Sequence, residues 1–173
     1  MVVVALGVLG CGGPQATPTA NGGSDAIEGD QALGRDCRPE PYWDLVFALE
    51  EKRSESEIKR AIRCLPDVSY DEDYLHPTIT IAIEWYSAVG VRLLLEAGAN
   101  LRPRPGSAPV LHGIIGRKSV DVAALVEILS LLKEAGYDPC WTDSKGDTTT
   151  SLAIKRGRSD LLAILRDHDM TCE

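Results

Sequence analysis

Aromatic residues are scarce in this chain, and basic residues are outnumbered by acidic ones. Its 173 residues include 18 Lys and Arg against 26 Asp and Glu, which gives a formal net charge of −8, and aromatic residues make up only 5%. Nucleic-acid-binding proteins take most of their affinity from Lys and Arg side chains that neutralise phosphates, and no basic stripe is present here. The sequence therefore argues against a nucleic-acid partner. Its apolar content of 44% is enough for a hydrophobic core.

The chain also lacks the residue groupings that metal sites, nucleotide sites and catalytic centres require. None of its three histidines, His76, His112 and His168, has a second ligand at metal-binding spacing. Residues 113–119 resemble a phosphate-binding loop, but no lysine directly follows the second glycine. The acidic residues 71–73 lack both the glycine and the spacing of a calcium loop. No nucleophile has an identifiable base nearby. We therefore predict no metal, no cofactor and no enzymatic activity.

The N-terminal segment has a pattern typical of exported lipoproteins. A short apolar run, residues 2–9, leads into Val-Leu-Gly-Cys at residues 8–11, which resembles a bacterial lipobox whose cysteine is lipidated. We therefore expect residues 1–10 to be a signal peptide and Cys11 to carry a lipid. The run is shorter than usual and no Lys or Arg precedes it, so either the signal peptide is truncated or the match is a chance one.

The segment that follows Cys11 predicts a tether and a location. Residues 12–36 are rich in Gly, Pro, Thr, Ala and acidic residues, which cannot bury enough apolar surface to become ordered. We expect residues 11–36 to form a lipidated, disordered linker. Residue 12 is glycine and not aspartate. An aspartate directly after the lipidated cysteine would disfavour sorting to the outer membrane. The expected location is the cell envelope, on the outer membrane and facing the periplasm, with the lipid as the only membrane contact.

The most specific pattern lies between residues 136 and 157. The residues Gly136, Asp138, Asp143, Gly146, Thr148, Ala153 and Gly157 have the spacing of the ankyrin frame G-x-D-x4-D-x2-G-x-T-x4-A-x3-G. A period near 33 is also present, because residues 91–101 resemble the ankyrin ending V-x-x-L-L-x-x-G-A-D/N and residues 126–138 repeat it. Residues 41–172 thus resemble an ankyrin-repeat protein.

This resemblance implies an all-α solenoid of about four helix-turn-helix units joined by hairpin loops, within residues 37–173. The opening helices of the units are expected at residues 41–50, 78–86, 109–117 and 149–156. Helices this short are unstable alone and become stable by stacking their apolar faces. An insertion at residues 118–124 should lengthen the second helix of the third unit or the turn before it. We expect a monomer.

The resemblance also implies a pairing of the four cysteines other than Cys11, for which three pairings are possible. In the ankyrin layout Cys37 precedes the first helix and Cys64 ends the second. Cys140 opens the last hairpin, and Cys172 follows the last helix. We therefore expect the disulfides Cys37–Cys64 and Cys140–Cys172 at the two ends of the stack. The alternative is four free thiols in a reducing compartment.

The function implied by the resemblance is non-catalytic binding of another protein through the hairpin tips and the concave face of the opening helices. Tyr, Trp and Arg are enriched among interface hot spots. The candidate partner-binding residues are Tyr70, Asp71, Asp73, Tyr74, Trp85, Tyr86, Arg102, Arg104, Trp141, Asp143 and Lys145. The two tryptophans have an alternative role, packing against adjacent units. Alternatives for the whole protein are an immunity or inhibitor protein against an envelope-acting toxin, a structural scaffold and, least favoured, an enzyme with a site not visible in sequence.

Overall fold

The computed structural model describes Cys37, residues 40–69 and residues 77–172. The expected signal peptide, the lipidation site Cys11 and the expected linker lie outside these ranges. Helices make up the regular structure of the described residues. In chain order they are α1 (Pro41–Glu50), α2 (Glu55–Arg63), α3 (Ile79–Glu84), α4 (Ala88–Glu96), a 3₁₀ helix (Val110–Gly116), α5 (Val122–Glu134), α6 (Thr149–Lys155) and α7 (Ser159–Asp167).

The helices form four successive pairs, which we number units 1 to 4. Each unit has an opening helix (α1, α3, the 3₁₀ helix or α6) and a closing helix (α2, α4, α5 or α7). Every opening helix packs beside the opening helix of the next unit, and α2, α4 and α5 pack in sequence alongside. The predicted solenoid of four helix-turn-helix units is confirmed, and each opening helix lies within the residues expected for it.

Two glycines show how closely neighbouring units approach each other. A Cβ atom added to Gly90 in α4 would lie 2.5 Å from Cδ2 of Leu49 in the preceding unit. A Cβ atom added to Gly113 would lie 2.6 Å from Cγ of Glu84. Leu49 is 1% exposed, and its equivalent in the second unit, Ile83, is fully buried. The apolar side chains of one unit are therefore covered by the next unit and not by their own helix partner alone.

The turn between the two helices has the same left-handed form in three of the units. Its central residue is Lys52, Tyr86 or Gly157, with φ of 51°, 51° and 66°. In each case the next backbone N–H donates to a carbonyl five residues earlier, for example from Ser87 to Ala82 at 2.8 Å. Glycine adopts this conformation without strain, whereas a residue with a side chain loses roughly 1–2 kcal/mol there. Tyr86 is therefore held in place by its contacts.

The third unit departs from the others in both helices. Its opening segment is a 3₁₀ helix, because residues 110–116 combine β-branched residues with Gly113 and Gly116, all of which favour the α-helix poorly. Its closing helix α5 has 13 residues, against nine in α4. Asp121 begins α5 early, since its Oδ1 atom accepts a hydrogen bond from the Ala124 N–H at 3.1 Å. The insertion thus lengthens the closing helix.

The four cysteines lie in two pairs at opposite ends of the stack. The Cα atoms of Cys37 and Cys64 are 5.5 Å apart, and those of Cys140 and Cys172 are 4.9 Å apart. Both separations fall within the range of disulfides, and these are the two pairs that the ankyrin layout implies. None of the described helices is long and apolar enough to cross a bilayer.

Replacing Cys140 and Cys172 together by serine should lower the free energy of unfolding by roughly 3–4 kcal/mol, because the bond closes a loop of 32 residues in the unfolded chain. Denaturant unfolding of the variant and of the wild type measures this loss. Reductant should weaken the wild type more than the variant. Four thiols that react with a labelling reagent in denaturant without reductant would contradict both disulfides.

Candidate partner-binding surface

The candidate residues divide between two edges of the stack. Short turns join the two helices of a unit, and loops at residues 97–109 and 135–148 join one unit to the next. Because the two helices of a unit run in opposite directions, all loops lie at one edge and all turns at the other. We call these the loop edge and the turn edge. The described candidates on the loop edge are Arg102, Arg104, Trp141, Asp143 and Lys145, and those on the turn edge are Trp85 and Tyr86.

The loop at residues 97–109 is fixed to the loop before it. The Asn100 N–H donates to the Ser69 hydroxyl at 3.1 Å, and the Asn100 side-chain oxygen accepts from the Arg102 N–H at 2.8 Å. The Arg104 guanidinium lies 3.7 Å from the Asp67 carboxylate across the same gap. The side chains of Arg102 and Arg104 are exposed. This loop therefore presents two cations from a backbone that is already ordered.

The loop at residues 135–148 is shaped by the side chain of Asp143. One carboxylate oxygen accepts hydrogen bonds from the backbone N–H groups of Lys145, at 2.8 Å, and Asp147, at 2.9 Å. These hydrogen bonds, chiefly the one from the Asp147 N–H, keep the pKa of Asp143 below its usual value. The Lys145 side chain is exposed. Asp143 thus builds the turn, and Lys145 is the residue of this loop that projects a charge.

Trp141 is half-buried and packs against the hydrophobic core. Its ring meets the Tyr137 ring edge to face, with centroids 5.3 Å apart. Tyr137 is itself buried, and burial raises the pKa of its hydroxyl to about 12. Trp141 also lines a groove of about 350 Å³ with Leu95 and Arg102. Part of the Trp141 ring is therefore covered and part is exposed, and its role in binding a partner stays a prediction.

The two loops enclose a groove of about 510 Å³ at the loop edge. Arg102, Arg104 and the two prolines between and after them form one side, and Thr142 and Asp143 form the other. The structure therefore brings four of the five described loop-edge candidates to two adjoining grooves. Three cations, Arg102, Arg104 and Lys145, lie on this edge of a chain whose net charge is −8.

The turn edge carries a cluster in which the tryptophan and the tyrosine are occupied by neighbours. The Arg117 guanidinium lies 4.7 Å from the centre of the Trp85 ring and 2.9 Å from a carboxylate oxygen of Glu84. The Tyr86 hydroxyl donates to the Ser119 carbonyl at 3.3 Å, and burial raises the pKa of Tyr86. Arg117 and Ser119 belong to the next unit, so these contacts join units 2 and 3.

Arg158 continues the cluster into unit 4. Its guanidinium donates to the carbonyl oxygens of Ile115 and Arg117, both at 2.8 Å, and pairs with Asp160. Trp85 and Tyr86 thus belong to a chain of contacts that ties three consecutive turns together. The helix α3, which is about 9 Å long, separates them from the loop edge, and their predicted role in binding a partner stays a prediction.

The solved structures that resemble this fold include an ankyrin repeat domain from Acinetobacter baumannii, with a TM-score of 0.53 and 22% sequence identity. The match covers 72% of this chain and 63% of that one, so this chain spans less than two thirds of its length. This chain has the ankyrin-repeat fold. No family model matches the sequence, and no curated protein matches it either.

The candidates Tyr70, Asp71, Asp73 and Tyr74 lie outside the described residues, and their role stays a prediction. Burial lowers the pKa of His112, although the charges of Asp143 and Asp147 oppose the shift. Within residues 40–69 and 77–172, no three His, Cys, Asp or Glu side chains come together as metal ligands.

The candidates chosen from the sequence did not include one pair of exposed aromatic residues. Trp43 and Phe47 are 41% and 44% exposed on α1, with ring centroids 6.2 Å apart. They lie four residues apart, opposite the buried Leu45 and Leu49. The sequence did carry a signal for them, because a helix that is apolar on both faces is normally covered on both.

Trp85→Ala should lower the free energy of unfolding by about 2 kcal/mol, less than for a fully buried tryptophan. The effects of Trp85→Ala and Arg117→Ala on the free energy of unfolding should differ from additivity by about 0.5–1 kcal/mol, because each substitution removes the same cation–π contact. A double-mutant cycle from denaturant unfolding measures the coupling. Lys118→Ala, at an exposed neighbouring residue, is the control and should be additive with Trp85→Ala. If Trp85→Ala and Arg117→Ala were additive, the contact between Arg117 and the Trp85 ring would not stabilise the fold.

Proposed function

We propose that this chain is a non-catalytic binding protein that contacts another protein through its loop edge. The observation that carries the proposal is the groove between two loops, which the exposed Arg102 and Arg104 line, with the exposed Lys145 on the same edge of the stack. Arginine and the partly open ring of Trp141 are side chains of the kind that anchor protein interfaces. The ankyrin-repeat fold supports the same conclusion, since repeat stacks offer extended surfaces to partners.

The partner that this edge favours is a protein with an acidic patch. The cations stand on loops that hydrogen bonds already hold to the stack, so binding them costs little ordering of the backbone. Their charge opposes the net charge of the chain, which should orient an acidic partner toward this edge and away from the rest of the surface. Asp143 and Asp67 at the groove would select the positions of the partner's charged groups.

We further propose that the binding protein is a lipoprotein of the bacterial envelope, anchored through Cys11 to the outer membrane and facing the periplasm. Support comes from the lipobox-like residues 8–11 and from the composition of residues 12–36. The two cysteine pairs at disulfide separation add to it, because disulfides persist in oxidising compartments such as the periplasm.

Reversing both loop charges, Arg102→Glu with Arg104→Glu, should weaken partner binding by about tenfold or more, since hot-spot arginines each contribute over 1 kcal/mol. Affinity capture from an envelope fraction, followed by a titration with the captured protein, measures the change. Reversing one exposed charge at the turn edge, Lys118→Glu, is the control and should leave binding within about twofold. Equal binding by all three proteins would remove the loop edge as the contact surface.

Cys11→Ser should release the protein from the membrane fraction, because no acyl chain would then anchor it. Fractionation of cells that produce the variant or the wild type, together with mass analysis of the N-terminal peptide, gives the answer. An unchanged distribution would refute the lipid anchor and would leave the loop-edge proposal untouched.

A further inference from the structure

The Cys140–Cys172 pair joins the start and the end of unit 4. Cys140 lies in the loop that leads into this unit, and Cys172 follows its closing helix, 32 residues further along the chain. A bond between two such residues restrains every opening of the segment that it encloses, whether the rest of the chain unfolds or not. The bond therefore restrains the unfolding of unit 4 separately from that of the other units.

The two cysteine pairs differ in their access to solvent. Cys140 is exposed, whereas Cys37, Cys64 and Cys172 are half-buried. A disulfide is reduced when a thiolate attacks one of its sulfur atoms, and exposed disulfides have the higher reduction potentials and are the more easily opened ones. The Cys140–Cys172 bond should therefore open under milder reducing conditions than the Cys37–Cys64 bond.

Cys140 directly precedes the residues that form the grooves of the loop edge. Trp141 lines one groove, and Thr142 and Asp143 line the other. The Cys140 N–H donates to Oδ1 of Asp138 at 2.8 Å, a bond that lies within the loop. The disulfide, in contrast, ties the loop to the segment after α7. It thus fixes one wall of the grooves to a second part of the fold.

The segment that leads to Cys172 packs across unit 4. Asp169 pairs with Lys133 of α5 at 2.9 Å, Met170 is 1% exposed, and the Cys172 N–H donates to the Thr150 hydroxyl at 3.1 Å. The ion pair is exposed and stabilises little, so the disulfide contributes much of the restraint on this segment.

At the turn edge, unit 4 is held by contacts that do not involve the cysteines. The Arg158 guanidinium donates to the carbonyl oxygens of Ile115 and Arg117 in unit 3. Leu161 and Leu165 of α7 are fully buried. These contacts remain when the disulfide opens. Opening should therefore loosen unit 4 and leave units 1 to 3 folded, since each unit of a repeat stack contacts only its neighbours.

We propose that the Cys140–Cys172 disulfide is a redox-sensitive clamp on unit 4, which a dithiol reductant opens selectively. A thiolate of the reductant attacks the Cys140 sulfur and forms a mixed disulfide, and Cys172 leaves as a thiolate that takes up a proton. The second thiol of the reductant then displaces Cys140, which also becomes a thiol, and the reductant leaves as a cyclic disulfide. Two electrons thus pass from the dithiol to the bond.

The clamp adds regulation to the loop edge. Once the bond is open, the loop at residues 135–148 loses its covalent tie, and the walls of both grooves become less ordered. An ordered surface binds with less entropic cost than a loose one, so the oxidised form should be the better binder. This consequence rests on the proposed function, whereas the clamp itself does not.

A redox titration tests the selectivity of opening. The full chain with Cys11→Ser, in which no fifth thiol takes part, is equilibrated with mixtures of reduced and oxidised dithiothreitol, alkylated and mapped by mass spectrometry. Cys140 and Cys172 should become alkylated at a lower ratio of reduced to oxidised reagent than Cys37 and Cys64. Opening of both pairs together, earlier opening of Cys37–Cys64, or thiols that are labelled before any reductant is added would overturn the proposal.

Hydrogen exchange in the mixture that opens only Cys140–Cys172 tests the clamp. The slowest backbone amides of residues 137–172 should exchange about a hundredfold faster, as expected for the loss of a bond across 32 residues. The amides of residues 40–63 should be unchanged. Cys140→Ser with Cys172→Ser should show the faster exchange without reductant. Cys37→Ser with Cys64→Ser is the matched control, which keeps the clamp and should still respond to the reductant.

Two results of the exchange experiment would overturn the clamp. One is unchanged exchange in residues 137–172 after the bond has opened, and the other is faster exchange throughout the units, which would mean that the whole stack unfolds. Neither result bears on where a partner binds, because the charge-reversal variants at Arg102 and Arg104 test that in the oxidised protein. Failure of the clamp and failure of the loop edge as a binding surface are therefore separate outcomes.

Discussion

The burial of apolar side chains between consecutive units is the constraint on which the rest of this structure depends. The opening helices have only six to ten residues, too few for a helix to persist alone in water. Leu49 shows how the constraint acts, because it is almost fully buried and lies against Gly90 of the next unit. Loss of one interface therefore affects two units. The glycines and small residues at the contacts follow from this need.

The constraint also separates the stability of the stack from its contacts with other molecules. At the turn edge, Arg117, Arg158 and the rings of Trp85 and Tyr86 join three units. The loop edge is arranged differently. Its backbone is fixed by short-range bonds, and its cationic side chains project into two grooves. A partner can therefore bind at the loops without disturbing the contacts that hold the units together.

The sequence predicted most of the fold, because the ankyrin frame records which residues face a neighbour and which carry a turn. The opening helix over Pro41–Glu50 has the bounds expected for it, and both cysteine pairs have the expected partners. The candidate site was less predictable. Residue types enriched at interfaces also stabilise interiors, and only geometry shows that Arg117 covers Trp85. The 3₁₀ form of Val110–Gly116 depends on local propensity, which the repeat frame does not record.

The ends of the stack follow from the same constraint, since each end unit has a neighbour on one side only. At the carboxyl end the chain supplies a partial cover: the Cys172 N–H donates to the Thr150 hydroxyl at 3.1 Å, and Met170 is buried. Each end is also held by a cysteine pair. These contacts hold the backbone of the end units in place, but they leave the side chains of Phe47 and Ile154 exposed. Stability of the end units therefore does not require those two side chains to be covered.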